Sequence, residues 1–170
     1  VDNPPEIKFL TSAARIAKGY EDEVFSPFVG VQVSDVDTSQ VSLLVEVSLG
    51  KIGFLGSAQS GWSSSMQINS TAAEVTNSLQ ALLFVGPSDF NVLSGGVIAA
   101  TLAVVDQYQP QNVVATSRAT VSIILHPTDD APVFAAPGAH TLSGNLNGIS
   151  LHAAGVSVSD IDTALLDLVL

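Results

Sequence analysis

One short string occurs twice in this chain, and it limits the fold more than anything else in the sequence. Val33-Ser34-Asp35-Val36-Asp37-Thr38 returns as Val158-Ser159-Asp160-Ile161-Asp162-Thr163, at an offset of 125 residues and with one conservative change. A second pair keeps nearly the same period: Asp2-Asn3-Pro4-Pro5-Glu6-Ile7 is matched by Asp129-Asp130-Ala131-Pro132-Val133-Phe134, at an offset of 127. Two anchors at one period indicate a repeated structural unit. The chain therefore divides into the end of a linker (1–4), a complete unit (5–128), a second linker (129–134) and the opening of another unit (135–170). That last piece has too few strands to bury its own apolar face. It is expected to be poorly ordered alone or completed by strands from elsewhere. Since the sequence starts at Val1 without a Met or a basic leader, the chain is expected to be a processed product or an excerpt of a longer array.

The unit itself is expected to be all-β. Val41, Leu43, Val45, Val47 and Leu49 share a face only if the segment is extended. Ala119, Val121, Ile123 and Leu125 form a second period-two row, with Thr120 and Ser122 on the other face. Further strands are predicted near 51–55, 64–68, 82–85 and 97–105, separated by Gly-, Ser- and Pro-containing turns. About seven short strands suit one sandwich of roughly 100 residues. The exception is 71–80, where Ser70 or Thr71 can cap and Glu74 stands at the capping-box position, so one short helix or helical turn is predicted.

Charge narrows the partners. Sixteen Asp and Glu against five Lys and Arg give a formal charge of −11, which repels nucleic acid and anionic membrane surfaces and favours cations. No apolar run approaches the length of a membrane span. Cysteine is absent, so disulfides say nothing of the compartment and any cross-link is a metal or a packing contact.

The carboxylates are placed for a hard cation. The linker prolines stiffen an extended chain and stop it from continuing a ladder, which leaves acidic and amide side chains projecting into the junction. Asp35 and Asp37 share a side of an extended chain and can give two carboxylates to one ion, with Asp106 at the end of its strand closing the set. Calcium takes six to eight oxygens in irregular geometry and suits a site assembled from several loops. The competing reading is an Asx turn at a strand end that merely solvates a loop.

The strings DNPPEI, DDAPVF, VSDVDT and VSDIDT, with LAVVDQ before a final strand, resemble the cadherin repeat. They are closer still to the cadherin-like tandem repeats of very large surface proteins. In those an acidic opening, as in Glu21-Asp22-Glu23, precedes the Asp-x-Asp strand, and a stretch like Asp89-Phe90-Asn91 precedes the penultimate strand. The resemblance covers most of the chain through short motifs whose order and spacing carry it. It implies a Greek-key, Ig-like (cadherin-like) β-sandwich in tandem, extracellular or on the cell surface, with calcium ions at the inter-repeat junctions. One site would use Asp2, Asn3, Asp35, Asp37 and Asp106. The other would use Asp129, Asp130, Asp160 and Asp162, with Glu21, Asp22 or Glu23 from the upstream repeat. For Glu21, Asp22 and Glu23 a solvated acidic loop stands beside ligation. No Leu-Asp-Arg-Glu motif is present, so one ion per junction is expected rather than three. Gly144-Asn145-Leu146 replaces the acidic opening in the second unit, which predicts weak or absent calcium binding downstream.

Other chemistry is poorly supplied. His126, His140 and His152 lack zinc-ligand spacing. There is no Gly-x-Ser-x-Gly elbow and no phosphate-binding Gly-x-x-x-x-Gly-Lys loop. A glycosidase pair would want an aromatic-rich cleft, and Trp62 is the single tryptophan. No enzyme is expected. Asn69-Ser70-Thr71 is an N-glycosylation sequon in a predicted turn. The expected role is a structural or adhesive repeat whose partners are neighbouring repeats of the same chain and other copies or surface proteins. The rival is a building block of an extracellular filament, with lateral chain packing and no essential calcium. A carbohydrate- or ligand-binding module ranks third, because exposed aromatics are scarce.

Overall fold

The computed structural model describes residues 3–37, 40–57, 61–93, 95–106, 116–130, 133–135 and 157–159. The chain divides into two compact units, Val1–Pro127 and Thr128–Leu170. About half of the described residues are in strands, with one α-helix, so the protein is all-β with several sheets. No helix among the described residues is long and apolar enough to cross a membrane.

The first unit is built on a five-stranded sheet. Its centre is β9 (Ile98–Asp106), flanked by β5 (Val41–Val47) and β10 (Thr116–His126), both antiparallel to it. Outside these lie β7 (Ser65–Ser70), antiparallel to β5, and β2 (Ile16–Tyr20), parallel to β10. The predicted alternation is visible as burial in Val41, Leu43, Val45 and Val47 and in Val121, Ile123 and Leu125, which point into the core, and Ile98, Leu102 and Val104 of β9 join them. Leu49 does not extend its row. β5 stops at Val47, and the chain turns through Gly50, whose φ of +80° suits a residue without Cβ, so Leu49 is exposed.

Two smaller sheets complete the unit. β3 (Val24–Phe25), β8 (Leu83–Val85) and β6 (Lys51–Gly53) form a three-stranded sheet, and β1 (Glu6–Phe9) pairs with β4 (Val31–Ser34). Ile52 and Phe84 of the first, Val31 and Val33 of the second and the buried rows of the large sheet form one hydrophobic cluster. Each such side chain contributes roughly 1.5–3 kcal/mol by leaving water.

The helix α1 (Ala72–Ala81) has the predicted cap. Thr71 Oγ1 accepts the Glu74 N–H at 3.3 Å, while Glu74 Oε2 accepts from Thr71 N at 3.4 Å and from the Ser70 hydroxyl. Those bonds, from Ser70 first and Thr71 second, hold the Glu74 carboxyl below its usual range. Val75 and Leu79, four apart, enter the core. On β4, α1 takes the place of a neighbouring strand. Thr76 Oγ1 accepts from Val33 N at 2.9 Å and donates to Val33 O at 3.2 Å, and Gln80 Nε2 donates to Val31 O at 3.2 Å. The edge groups that β1 leaves open are thereby satisfied.

In the second unit β11 (Val133–Ala135) pairs antiparallel with β12 (Ser157–Ser159). The register sets Phe134 opposite Val158, as Ile7 stands opposite Val33 in β1 and β4. The two strands of the later pair follow those of the earlier pair by 127 and 125 residues, the same two offsets that separate the repeated strings. The expectation of poor order for 135–170 falls almost entirely outside the described residues.

Candidate functional site

Polar side chains collect at both ends of the large sheet in the first unit, separated by the length of β9, nine residues or about 30 Å. At the end where β5 begins, Asp37 N donates to Asp35 Oδ1 at 3.0 Å, which is an Asx turn. Asp37 Oδ2 accepts from Asn3 N at 2.8 Å and from Asn3 Nδ2 at 3.1 Å. The incoming linker is therefore fastened to the Asp-x-Asp loop by charge-assisted hydrogen bonds. Asp106, 5% exposed, lies opposite Val41 at the same end. The turn reading thus accounts for Asp35 Oδ1, and the structure adds that Asp35 Oδ2 and Asp106 Oδ2 are buried oxygens. Asp35, Asp37 and Asp106 do not bring three carboxylate oxygens within 4.8 Å of one another. Asp2 lies outside the described residues.

The other end is assembled around the last residues of β10. Beyond Ile123, where β9 ceases to pair, Leu125 O accepts from Val92 N at 2.8 Å and His126 O accepts from Glu21 N at 3.0 Å. Successive carbonyls of a strand point to opposite sides, so β10 docks residue 92 on one edge and residue 21 on the other. Asn91 and Glu21, 70 residues apart in sequence, then meet. Asn91 Nδ2 lies 3.1 Å and 3.0 Å from the two Glu21 carboxylate oxygens. Glu21 is 1% exposed and Asn91 7%, so this is a buried carboxylate held by an amide. Asn91 Oδ1 in turn accepts from Leu93 N at 2.9 Å, which fixes the following loop.

Beside this pair stand two exposed aspartates with left-handed backbone, Asp22 at φ 62° and Asp89 at φ 57°. Aspartate is one of the few L-residues that visit this region. Their carboxylate oxygens lie within 4.8 Å of each other. Two like charges this close repel and favour a shared cation. Glu23 is exposed next to β3.

The sequence motifs thus resolve into different roles. Glu21 is an internal strut, Asp22 faces solvent, and Asp89 and Asn91, absent from the predicted ligand set, complete the end of the sheet. Their signal was the Asp89-Phe90-Asn91 stretch, which names the residues but not their partners. In the second unit Asp129 is exposed and Asp130 half-buried. Asp160 and Asp162, with His140 and His152, lie outside the described residues. Asn69 is exposed but sits in β7, paired opposite Ser42, and not in the turn predicted for it. The strand runs to Ser70 because helix capping begins only at Thr71. Trp62 borders a cleft of about 620 Å³ with Val24, Lys51, Val85 and Pro87. Its indole lies over Gly53, where an added Cβ would stand 2.7 Å from Cδ2.

No protein-family model and no curated protein matches this chain.

Proposed function

We propose that this chain is part of a tandem array of cadherin-like, Greek-key Ig-like β-sandwich repeats in a long extracellular or surface protein, with calcium stiffening the joints between repeats. The observation that carries this reading is the recurrence of one strand pairing: Phe134 opposite Val158 reproduces Ile7 opposite Val33 at the two offsets of the repeated strings. A shared register at both occurrences of the strings is what a repeated unit produces, since a one-residue slip would turn every side chain to the wrong face. The single buried cluster between the large sheet and the smaller ones supports a sandwich.

Calcium is supported by the donors. Asp22 and Asp89 offer hard oxygens within 4.8 Å of each other, and Glu21, locked by Asn91, fixes the backbone from which Asp22 departs. Asp129 and Asp130 follow Pro127 by two and three residues and are the next carboxylates along the chain. An ion tying linker and repeat contributes its binding free energy to the joint, and removing it leaves the carboxylates to repel. Abundant extracellular calcium fills weak sites of this kind.

Titration calorimetry of calcium into the full chain tests this. The expected dissociation constant is about 10⁻⁴–10⁻³ M, as in extracellular modules, and Asp22→Asn with Asp89→Asn is expected to weaken it at least about tenfold, roughly 1.4 kcal/mol. No saturable binding up to about 10 mM, ten times the upper end of that range, would contradict the proposal.

A further inference from the structure

The outward face of the five-stranded sheet is unlike the rest of this chain. By the strand registers it carries Ile16, Lys18 and Tyr20 from β2, alternate residues of β10 from Thr116 to His126, of β9 from Ala99 to Val105, of β5 from Ser42 to Glu46 and of β7 from Ser65 to Asn69. Only Lys18, Arg118 and Glu46 among them are charged. A chain with sixteen carboxylates and a formal charge of −11 thus places a single carboxylate on its broadest face, together with two of its five Lys and Arg. The middle of that face is small or apolar: Leu44, Ala99, Thr101, Ala103, Val105 and Ile124.

We infer that this face is a contact surface for a second copy of the chain, sheet against sheet. Two copies at −11 repel each other through most of their surfaces, and a face nearly free of acid is where they can meet without burying like charges. Five strands about 4.8 Å apart and about seven residues long at about 3.3 Å each project onto roughly 500 Å², and side-chain relief adds to this. That approaches the lower end of specific interfaces, about 600 Å² per partner, and suits a weak dimer.

The charges also suit a two-fold contact, in which residue i meets residue j and j meets i. Arg118 lies on β10 and Glu46 on β5, the strands on either side of β9. Through the register they stand opposite Ala103 and Thr101, two residues apart along β9. A two-fold axis running along β9 lays β10 of one copy over β5 of the other. The offset between Arg118 of one copy and Glu46 of its mate is then about 7 Å, within the span of the two side chains. The contact forms two such pairs. It uses no calcium ligand and is independent of the function proposed above.

Sedimentation equilibrium of the full chain in EDTA tests the inference, with protein made in bacteria so that Asn69 on the rim of the face bears no glycan. The wild-type chain is expected to dimerise in the micromolar to sub-millimolar range. Arg118→Glu and Glu46→Arg are each expected to weaken the dimer at least tenfold, and the double reversal is expected to restore it to within about threefold, because it re-forms both pairs with exchanged signs. Both positions are at the surface, and circular dichroism checks that each variant is folded. A wild-type chain that stays monomeric near 1 mM would overturn the inference and leave the face to a different partner. Single reversals without effect, or a double reversal that stays as weak as the singles, would overturn it as well.

Discussion

Replacing Asn91 by alanine is expected to destabilise the first unit by about 3 kcal/mol and to lower its melting temperature by roughly 10 °C. Glu21 is buried to 1% exposure, and both of its carboxylate oxygens lie within 3.1 Å of Asn91 Nδ2. A hydrogen bond to a charged group contributes about 1.5–3 kcal/mol, and a buried carboxylate deprived of one keeps its desolvation cost. The substitution also removes the acceptor for Leu93 N. The sign of the coupling separates this account from simple loss of packing. In a background of Glu21→Leu the Asn91→Ala change is expected to cost about 1.5 kcal/mol less, since no buried carboxylate remains to lose this hydrogen bond. Urea unfolding of the four members of the cycle measures it. An Asn91→Ala cost within about 0.5 kcal/mol of zero, the range of ordinary surface substitutions, would show that the strut does not hold the end of the sheet.

Gly50→Ala is expected to cost about 3 kcal/mol, while Gly56→Ala costs about 1 kcal/mol, although both glycines have φ near +80°. The backbone strain is common to the two. What differs is space. A Cβ on Gly50 would stand 2.5 Å from Val85 O and 2.8 Å from the Phe84 ring, whereas one on Gly56 meets nothing within 4 Å. Phe84 is fully buried and Val85 belongs to β8, so neither yields without disturbing the three-stranded sheet. Thermal or urea unfolding of the two variants side by side isolates the steric part. Equal costs would mean that the turn after β5 relaxes away from β8.

Much of the fold was legible because period-two alternation is a local property. The rows along β5 and β10 follow from which residues are apolar, β9 follows from its apolar run, and α1 follows from Thr71 and Glu74 at capping-box spacing. Where the outcome depends on a distant residue, the sequence is silent. Ile16-Ala17-Lys18-Gly19-Tyr20 has no apolar alternation, yet it is a strand because β10 offers it a parallel edge and because Phe25 fills the place of a Cβ at Gly19. The short β4 is steadied by Thr76 and Gln80 from a helix more than forty residues away. Leu49 continues a row on paper, but its strand has already ended. At the polar ends, the acidic strings marked where carboxylates gather, and Asp35 with Asp37 and Asn3 behaves as a fastened linker loop. The division of labour between Glu21, buried against Asn91, and Asp22, exposed beside Asp89, is set by which edge of β10 each segment joins. Residue spacing does not contain that information.

The most direct test of the calcium-stiffened joint is thermal unfolding of the full chain in EDTA and in about 10 mM calcium, beside the variant carrying Asp22→Asn and Asp89→Asn. For a site with a dissociation constant near 10⁻⁴ M, binding to the folded state alone adds about 2.7 kcal/mol. That corresponds to a rise of about 5–10 °C in the melting temperature of the wild-type chain, and the variant is expected to lose most of it. Superimposable melts of the wild-type chain with and without calcium would contradict the account and leave these aspartates as solvated turn residues.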